Sequence, residues 1–190
     1  MLTTWVVMPT CLPLVVRRCS ACASERFRAN GKFRVNAHHK LIDAWLLVLC
    51  TGCGDTAKLT VLERTRVRSV RPELLDRMHD NDPSLAAEVL RDPVVRRRHR
   101  VALDWDGAWR LDTGGADLPD REVSELPDRE VIDVSVRFAA PIPVRPVRLI
   151  AEGCGLPRAE VERLIEDGKL VSAVRLNSRL SGDFTFTLKR

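Results

Sequence analysis

Two C-x-x-C pairs, Cys19/Cys22 and Cys50/Cys53, constrain the fold of this 190-residue chain more than any other feature. Each pair suits a tight turn, and 27 residues lie between the two pairs. A β-hairpin in that interval would bring both turns to one end of a small sheet, so that four sulfurs face one point. Four thiolates in a tetrahedron form a closed structural Zn²⁺ site. The spacing therefore predicts zinc as a structural cofactor, held by Cys19, Cys22, Cys50 and Cys53.

Other uses of these cysteines fit the pattern less well. A redox C-x-x-C needs only one pair, at a helix N-terminus, and iron–sulfur clusters usually have different cysteine spacings. His38 or His39 could replace a ligand or add a second site, although four sulfurs already saturate zinc. Cys11 and Cys154 stand outside the pattern and are expected to be small buried hydrophobes.

The N-terminal segment is apolar for sixteen residues, but it lacks the layout of a signal peptide. Its positive charges, Arg17 and Arg18, follow the apolar run, and Pro9 and Pro13 interrupt it. No stretch reaches the roughly 20 apolar residues that span a bilayer. We therefore expect a buried edge strand here, a cytoplasmic protein and no membrane partner. In the cytoplasm thiols stay reduced, which favours metal binding over disulfides.

A basic hairpin is predicted between the cysteine pairs. Asn30-Gly31 supplies the positive-φ residues of a tight hairpin turn. Even-numbered positions share one face of a strand, and this face carries four cations: Arg26, Arg28, Lys32 and Arg34. These residues are candidate phosphate contacts. Phe27 and Phe33 would either stack on bases or fill a small core.

The middle of the chain predicts helices followed by a hairpin. Pro72 opens one helix, and Asp82 or Ser84 is the N-cap of the next. A second hairpin is expected to turn at Asp106-Gly107. We expect all four tryptophans in core positions: Trp5, Trp45, Trp105 and Trp109.

Charge is distributed unevenly along the chain, which suggests modules. Residues 1–60 carry eight Lys/Arg against three Asp/Glu, whereas residues 111–140 carry three against eight. The acidic stretch contains a tandem copy, LPDREVSE then LPDREVID, which is too short for a solenoid. The Pro-rich segment Phe138–Pro146 is expected to be an extended connector. With 45% hydrophobic residues the chain is globular, not disordered.

The segments CSAC and GKFRVNAHHKLIDAWLLVLCTGC carry a family resemblance. They resemble the bacterial domain-of-unknown-function family 1062, in which a phrase like FRVNA-K-hD-W-L lies between two cysteine pairs. The resemblance extends from Trp5 to the C-terminus. It implies a family but no activity.

The C-terminal segment resembles a second family, the S-four-type RNA-binding module of ribosomal proteins and pseudouridine synthases. The matching positions are Pro157-Arg158, Val161, Leu164-Ile165, Gly168, Leu170 and Gly182-Asp183. This resemblance implies two helices on a small sheet and RNA contacts from a basic edge comprising Arg158, Arg163, Lys169 and Arg175. A helix-turn-helix fits the two helices almost as well.

These observations predict an α+β protein in four segments. They are a zinc-ribbon-like β domain of hairpins (1–66), a small mixed helical and hairpin middle (67–116), an acidic and Pro-rich connector (117–146) and a helix–helix–strand–strand module (147–190). No grouping of nucleophile, base and electrophile is visible, so the sequence favours a non-catalytic protein. Its predicted partner is structured RNA, ribosomal or transfer RNA. A DNA-binding or protein-interaction regulator is the alternative.

Overall fold

The computed structural model describes residues 2–114 and 131–189. The chain forms two compact units, each with one five-stranded sheet. The central unit comprises Leu12–Asp106, and the terminal unit comprises Met1–Cys11 with Gly107–Arg190. Helices accompany both sheets, so the predicted α+β class is confirmed.

The elements follow one another in this order: β1 Leu2–Pro9, β2 Leu14–Val16, β3 Arg26–His38, β4 Leu41–Cys50, β5 Thr56–Arg66, α1 Pro72–His79, α2 Pro83–Arg91, α3 Pro93–His99, β6 Ala102–Asp104, β7 Trp109–Asp112, β8 Val131–Phe138, α4 Pro146–Cys154, α5 Arg158–Glu166, β9 Leu170–Ser172 and β10 Phe184–Lys189. A short 3₁₀ turn, Val67–Ser69, precedes α1. The tandem LPDREV copies lie almost wholly outside the described residues.

The sheet of the central unit has the order β5-β4-β3-β2-β6, with antiparallel neighbours throughout. Burial alternates strictly along β4, because successive side chains of a strand point to opposite faces. The buried face, with Ala44, Leu46 and Val48, shares one core with residues of α1, α2 and α3 such as Met78 and Leu90. The helices therefore cover one face of this sheet.

The predicted tight turn at Asn30-Gly31 is wrong. β3 continues through both residues to His38, and its register against β4 shifts between Ala29 and Phe33. Gly31 does have a positive φ of 78°, but it serves a bulge in the strand, where glycine is equally suited. The helical region holds this bulge, because the Asn81 side chain accepts a hydrogen bond of 2.8 Å from the Phe33 N–H.

The sheet of the terminal unit has the order β7-β1-β8-β10-β9. β1 pairs with β7 on one side and, in parallel, with β8 on the other. The prediction of a strand at the N-terminus is confirmed, but its place at a sheet edge is wrong. Trp5 and Val7 of β1 are fully buried, as expected for an interior strand with one face in the core.

The predicted hairpin at Asp106-Gly107 is also wrong. A turn with Gly107 at φ 80° is present, yet β6 pairs with β2 in the central unit and β7 pairs with β1 in the terminal unit. The chain leaves one unit and enters the other at this turn. The two units thus divide the chain differently from the four predicted segments, because β1 takes its hydrogen-bonding partners from beyond residue 107.

The C-terminal element order, helix–helix–strand–strand, is present as α4, α5, β9 and β10. Gly168 follows α5 at φ 67°, and the Lys169 N–H donates to the Leu164 carbonyl, which closes the helix end. β9 and β10 belong to the five-stranded sheet that also includes β1. The resemblance to the S-four-type module stays a prediction.

Candidate metal centre and basic sheet face

The four predicted ligands lie at one end of the central sheet. Cys19 and Cys22 lie in the connection between β2 and β3, while Cys50 ends β4 and Cys53 lies in the turn before β5. β3 pairs with both β2 and β4, with Phe27 opposite Cys50. Antiparallel pairing therefore brings the two connections together, as the hairpin argument predicts in outline.

The four sulfurs form a compact cluster, all within 4.8 Å of one another. Cys19 Sγ lies 3.8 Å from Cys53 Sγ, and Cys22 Sγ lies 3.6 Å from Cys50 Sγ. A tetrahedron with metal–sulfur bonds of about 2.3 Å has sulfur–sulfur edges of about 3.8 Å. The two separations of 3.8 and 3.6 Å match the edges of such a tetrahedron. Among residues 2–114 and 131–189 no other such group of potential ligands occurs.

Hydrogen bonds fix the two connections to each other. The Thr51 N–H and hydroxyl both donate to the Arg26 carbonyl, each at 2.9 Å. The hydroxyls of Ser24 and Thr51 lie 3.2 Å apart, within hydrogen-bonding distance. These bonds link the first cysteine pair's connection to the second without any metal contact. The ligands are therefore positioned by the sheet and by the connections themselves.

Backbone N–H groups point at two of the sulfurs. The Ala21 N–H donates to Cys19 Sγ, and the Gly52 N–H donates to Cys50 Sγ, each at 3.4 Å. Donors of this kind stabilise thiolate over thiol. Gly52 also permits a close approach: a Cβ at this position would lie 3.3 Å from Cys22 Sγ. Gly54, at φ 75°, supplies left-handed backbone in the second turn, a conformation that glycine adopts without steric cost.

Two of the four thiols, those of Cys50 and Cys53, have pKa values shifted in opposite directions by their surroundings. The backbone N–H of Cys53, with that of Gly52, lowers the pKa of Cys50 to about 6 against the effect of burial. The Asp55 N–H acts in the same direction on Cys53, but the neighbouring thiols and burial outweigh it and raise the pKa of Cys53 to about 12. Four thiolates at this spacing would repel one another, and a bound divalent cation would offset that repulsion.

The remaining cysteines and the histidine pair lie outside the cluster. Cys154 is buried, as predicted, and burial raises the pKa of its thiol to about 11. Cys11 is exposed, which corrects the prediction of a buried position. His38 and His39 lie at the β3–β4 turn, at the opposite end of these strands from Cys50. They therefore do not join the four sulfurs.

The four basic residues predicted on β3 are all exposed, and they alternate with inward-facing residues. Arg26 forms an ion pair with Asp104 at 3.3 Å. Arg28, Lys32 and Arg34 are absent from the ion pairs of the described residues. Among the described residues these three cations therefore have no ion-pair partner, and they line one strand on the sheet face opposite the helices.

Aromatic residues occupy both faces of this sheet, and the core position is the alternative that holds for Phe27 and Phe33. Phe27 and Phe33 belong to the core side, with Phe27 fully buried, so neither is available to stack on a base. Trp45 is the correction to the predicted core tryptophans, because it lies on the outer face and is partly exposed. Lys58 Nζ lies 5.2 Å from the centre of the Trp45 ring. The other tryptophans, Trp5, Trp105 and Trp109, are buried.

Only two of the four residues of the predicted C-terminal basic edge lie close together. Arg158 and Arg175 line one open cavity of about 680 Å³, together with Arg145 and the carboxylates of Glu162 and Glu166. Arg163 forms an ion pair with Glu160. Lys169 is exposed and does not line this cavity. The structure therefore brings two of the four predicted cations together.

Sequence reasoning missed Trp45 and Lys58 as surface residues, although a signal was present. The Cys50 side chain must lie on the same side of the sheet as the other three ligands. Side chains alternate between the two sides along β4, and Cys50 is on the buried side. Even-numbered positions of β4 therefore face inward, and odd-numbered Asp43 and Trp45 face outward. Apolar residues also occupy most of the outward-facing positions from Leu41 to Leu49, which conceals this parity in the sequence.

Fold and site together define a class: a two-unit α+β protein in which four cysteines close one end of an antiparallel sheet as a candidate metal centre. The chain belongs to the family described as "Protein of unknown function (DUF1062)", whose model matches residues 35–176. The matched range includes Cys50 and Cys53 and begins after Cys19 and Cys22, so it is shorter than the predicted extent. Comparisons with curated proteins and with solved structures gave no match. Within the described residues, every helix is too short or too polar to cross a bilayer.

Proposed function

We propose that Cys19, Cys22, Cys50 and Cys53 bind one Zn²⁺ and that this ion is structural. The observation that carries the proposal is the sulfur cluster, whose 3.6 and 3.8 Å separations match the edges of a zinc tetrathiolate. Four protein ligands leave no open position for water or substrate, which distinguishes structural from catalytic zinc sites. The proposed role is to hold the β2–β3 and β4–β5 connections together.

Metal analysis of the purified full-length protein tests this proposal. We expect one zinc per chain in the wild type and a loss of bound zinc in Cys22→Ser. Cys11→Ser is the matched control, because Cys11 is exposed and lies outside the cluster, and it should retain the full zinc content. A wild-type protein that contains no metal after reconstitution with zinc would overturn the proposal. A protein purified with iron at this site would keep the four-cysteine site and overturn the assignment of zinc.

We further propose that the protein binds structured RNA, with ribosomal or transfer RNA as the predicted class. The specific support is the outer face of β3, where Arg28, Lys32 and Arg34 are exposed and form no ion pairs among the described residues. Unpaired cations on one surface release counterions from a nucleic acid backbone, and binding then weakens as salt increases. The protein is proposed to act as a binding protein without catalysis.

Affinity for a transfer RNA at several salt concentrations tests this second proposal. We expect binding at low ionic strength that weakens steeply with added salt. Binding should also weaken in an Arg28→Gln/Arg34→Gln variant. A zinc-loaded protein without affinity for RNA at low salt would reject it. Affinity for duplex DNA alone, or recovery of one protein partner without nucleic acid, would instead support the regulator with a helix-turn-helix at α4 and α5.

A further inference from the structure

The outer face of the central sheet combines an aromatic residue with cations on both sides. Arg34 of β3 is the direct cross-strand partner of Trp45 in β4. On the other side, Lys58 of β5 pairs with Leu47 and places its ammonium group 5.2 Å from the Trp45 ring centre. Neighbouring strands are about 4.8 Å apart, so both cations lie within side-chain reach of one ring.

Apolar side chains extend this surface along β4. Leu47 and Leu49 are partly exposed on the same face as Trp45, and Arg28 is the cross-strand partner of Leu49. Across the face, cations on β3 and β5 border a central apolar strip on β4. α1, α2 and α3 share the core on the opposite face, so they leave this strip uncovered.

The positive charge of this surface favours the binding of a polyanion. Arg28, Lys32, Arg34 and Lys58 are exposed and form no ion pairs among the described residues. Asp43 is the carboxylate that β4 contributes to this face, and its Oδ1 already accepts a hydrogen bond of 2.7 Å from the Arg64 N–H. A second copy of this chain would bring the same four positive charges against the first, which is unfavourable without counterions.

From this arrangement we infer that the outer sheet face binds unpaired nucleotides, with a base stacked on Trp45 and the flanking cations on phosphates. The inference rests on the proposed RNA binding and specifies which part of an RNA this surface takes. Stacking on an aromatic side chain needs an exposed base face, which duplex RNA does not offer and single-stranded loops do. Lys58 moves from the ring face to a phosphate when a base takes its place.

Three RNA probes of equal length test the inference on the full-length, zinc-loaded protein: an unstructured pyrimidine strand, a stem with a pyrimidine loop and a blunt duplex. DNA versions of the three distinguish RNA from DNA as the source of the single strand. We expect the strand and the stem-loop to bind about tenfold more tightly than the duplex, because only an unpaired base can stack on Trp45. Binding should also quench tryptophan fluorescence, since Trp45 is the one tryptophan among the described residues that is not buried.

Variants locate the binding surface. Trp45→Leu keeps an apolar side chain on β4 and should abolish the quench while weakening single-strand binding about tenfold. Lys58→Gln tests the same site without altering the apolar strip and should reduce the salt dependence. Arg97→Gln is the matched control, since Arg97 is an exposed cation on α3, and it should bind as the wild type does.

The possible outcomes separate this inference from the function it rests on. Equal affinity for all three probes, or unchanged single-strand affinity in both Trp45→Leu and Lys58→Gln, would overturn the inference while leaving RNA binding intact. A protein that binds no probe would overturn both. Conversion of a dimer to a monomer by Trp45→Leu, without nucleic acid binding, would reassign the face to self-association.

Discussion

Cys22 and Cys50 lie 28 positions apart in sequence, yet their sulfurs are separated by only 3.6 Å. The second close pair, Cys19 and Cys53, also joins one C-x-x-C to the other. Each close pair therefore joins the β2–β3 connection to the β4–β5 connection. A metal held by these sulfurs would crosslink two connections of the central unit that are far apart in sequence and adjacent in space.

Metal removal is expected to destabilise the central unit selectively. Structural zinc contributes roughly 10–16 kcal/mol in zinc-finger peptides, which exceeds the stability of many small domains. After chelation, amide hydrogen exchange should accelerate strongly in β3 and β4 and remain slow in β8 and β10, because the latter strands belong to the other sheet. Equal acceleration in both sheets, or none in either, would contradict this prediction. Cys11→Ser provides the control protein for the exchange experiment.

Gly153→Ala is predicted to destabilise the terminal unit. An added Cβ at Gly153 would lie 2.5 Å from ring atoms of Trp5, which is 1% exposed and packs edge-on against Phe186. Overpacking of this kind costs about 1–3 kcal/mol, more than the gain of up to about 1 kcal/mol that alanine gives in a helix. Denaturant unfolding measures the difference.

Gly182→Ala is the matched control for Gly153→Ala. Gly182 is exposed and has no atom within 4 Å of the added Cβ. Its substitution should change the free energy of unfolding by less than about 0.5 kcal/mol. Similar losses in the two variants would show that the Trp5 contact is not the cause.

His99 is predicted to make the central unit sensitive to mild acid. Its Nε2 accepts a hydrogen bond of 2.7 Å from the Thr60 N–H at the edge strand β5. Burial, with the positive charges of Arg98 and Arg17, lowers the pKa of His99 below its ordinary 6.5. The unfolded chain therefore binds this proton more readily, so the contribution is present above pH 6.5 and declines as the pH falls below it.

Unfolding measurements between about pH 7 and pH 5 check the role of His99. His99→Gln should lose less stability over this range than the wild type, because glutamine does not titrate. His79→Gln, an exposed position on α1, should keep the wild-type dependence. All three proteins retain the four cysteines, so acid release of metal is common to them and cancels in the comparison. Identical pH profiles for all three would reject the prediction.

Asp82 is predicted to stabilise the helical region through its cap and its ion pair. Its Oδ1 accepts from the Ser84 N–H at 2.8 Å, and its Oδ2 lies 2.6 Å from Arg77 Nε. The hydrogen bond from the Ser84 hydroxyl, with those from the Arg77 guanidinium and the Ser84 N–H, holds the pKa of Asp82 well below its usual value. The stabilisation is therefore complete above about pH 4 and is lost below it.

Asp82→Ala should lower the free energy of unfolding by about 1–2 kcal/mol at neutral pH. The comparison is Asp80→Ala, because Asp80 is exposed and its side chain has no hydrogen bond among those described. Chemical denaturation of both variants measures the difference. Equal stability of the Asp82→Ala and Asp80→Ala variants would show that the cap and ion pair of Asp82 do not stabilise the protein.

The cysteine spacing and local signals predicted part of this molecule well. The four sulfurs converge as expected, because the spacing of two C-x-x-C pairs leaves few other uses for them. Asp82, one of the two predicted candidates, is the N-cap of α2, and the C-terminal helices and strands follow in the predicted order. Each of these features depends on residues close in sequence or on one strong chemical constraint.

Long-range pairing explains what the sequence could not reveal. Asn30-Gly31 suits a turn and a bulge equally, and the contact of Asn81 with Phe33, 48 positions away, accompanies the bulge. β1 pairs in parallel with β8, and the paired residues are more than a hundred positions apart in sequence. No local sequence pattern predicts such a pairing. The choice between base stacking and core for Phe27, and the outward position of Trp45, depend on the same long-range fact: the helices cover one sheet face and leave the other open.

X-ray absorption at the zinc edge of the purified protein tests the four-thiolate site most directly. The expected spectrum fits four sulfur scatterers at about 2.3 Å with no nitrogen or oxygen neighbour. In Cys22→Ser the sulfur number should decrease or the metal should be absent. A wild-type first shell containing imidazole or water, or bound zinc with any of the four cysteines still free to react with an alkylating agent, would contradict the account.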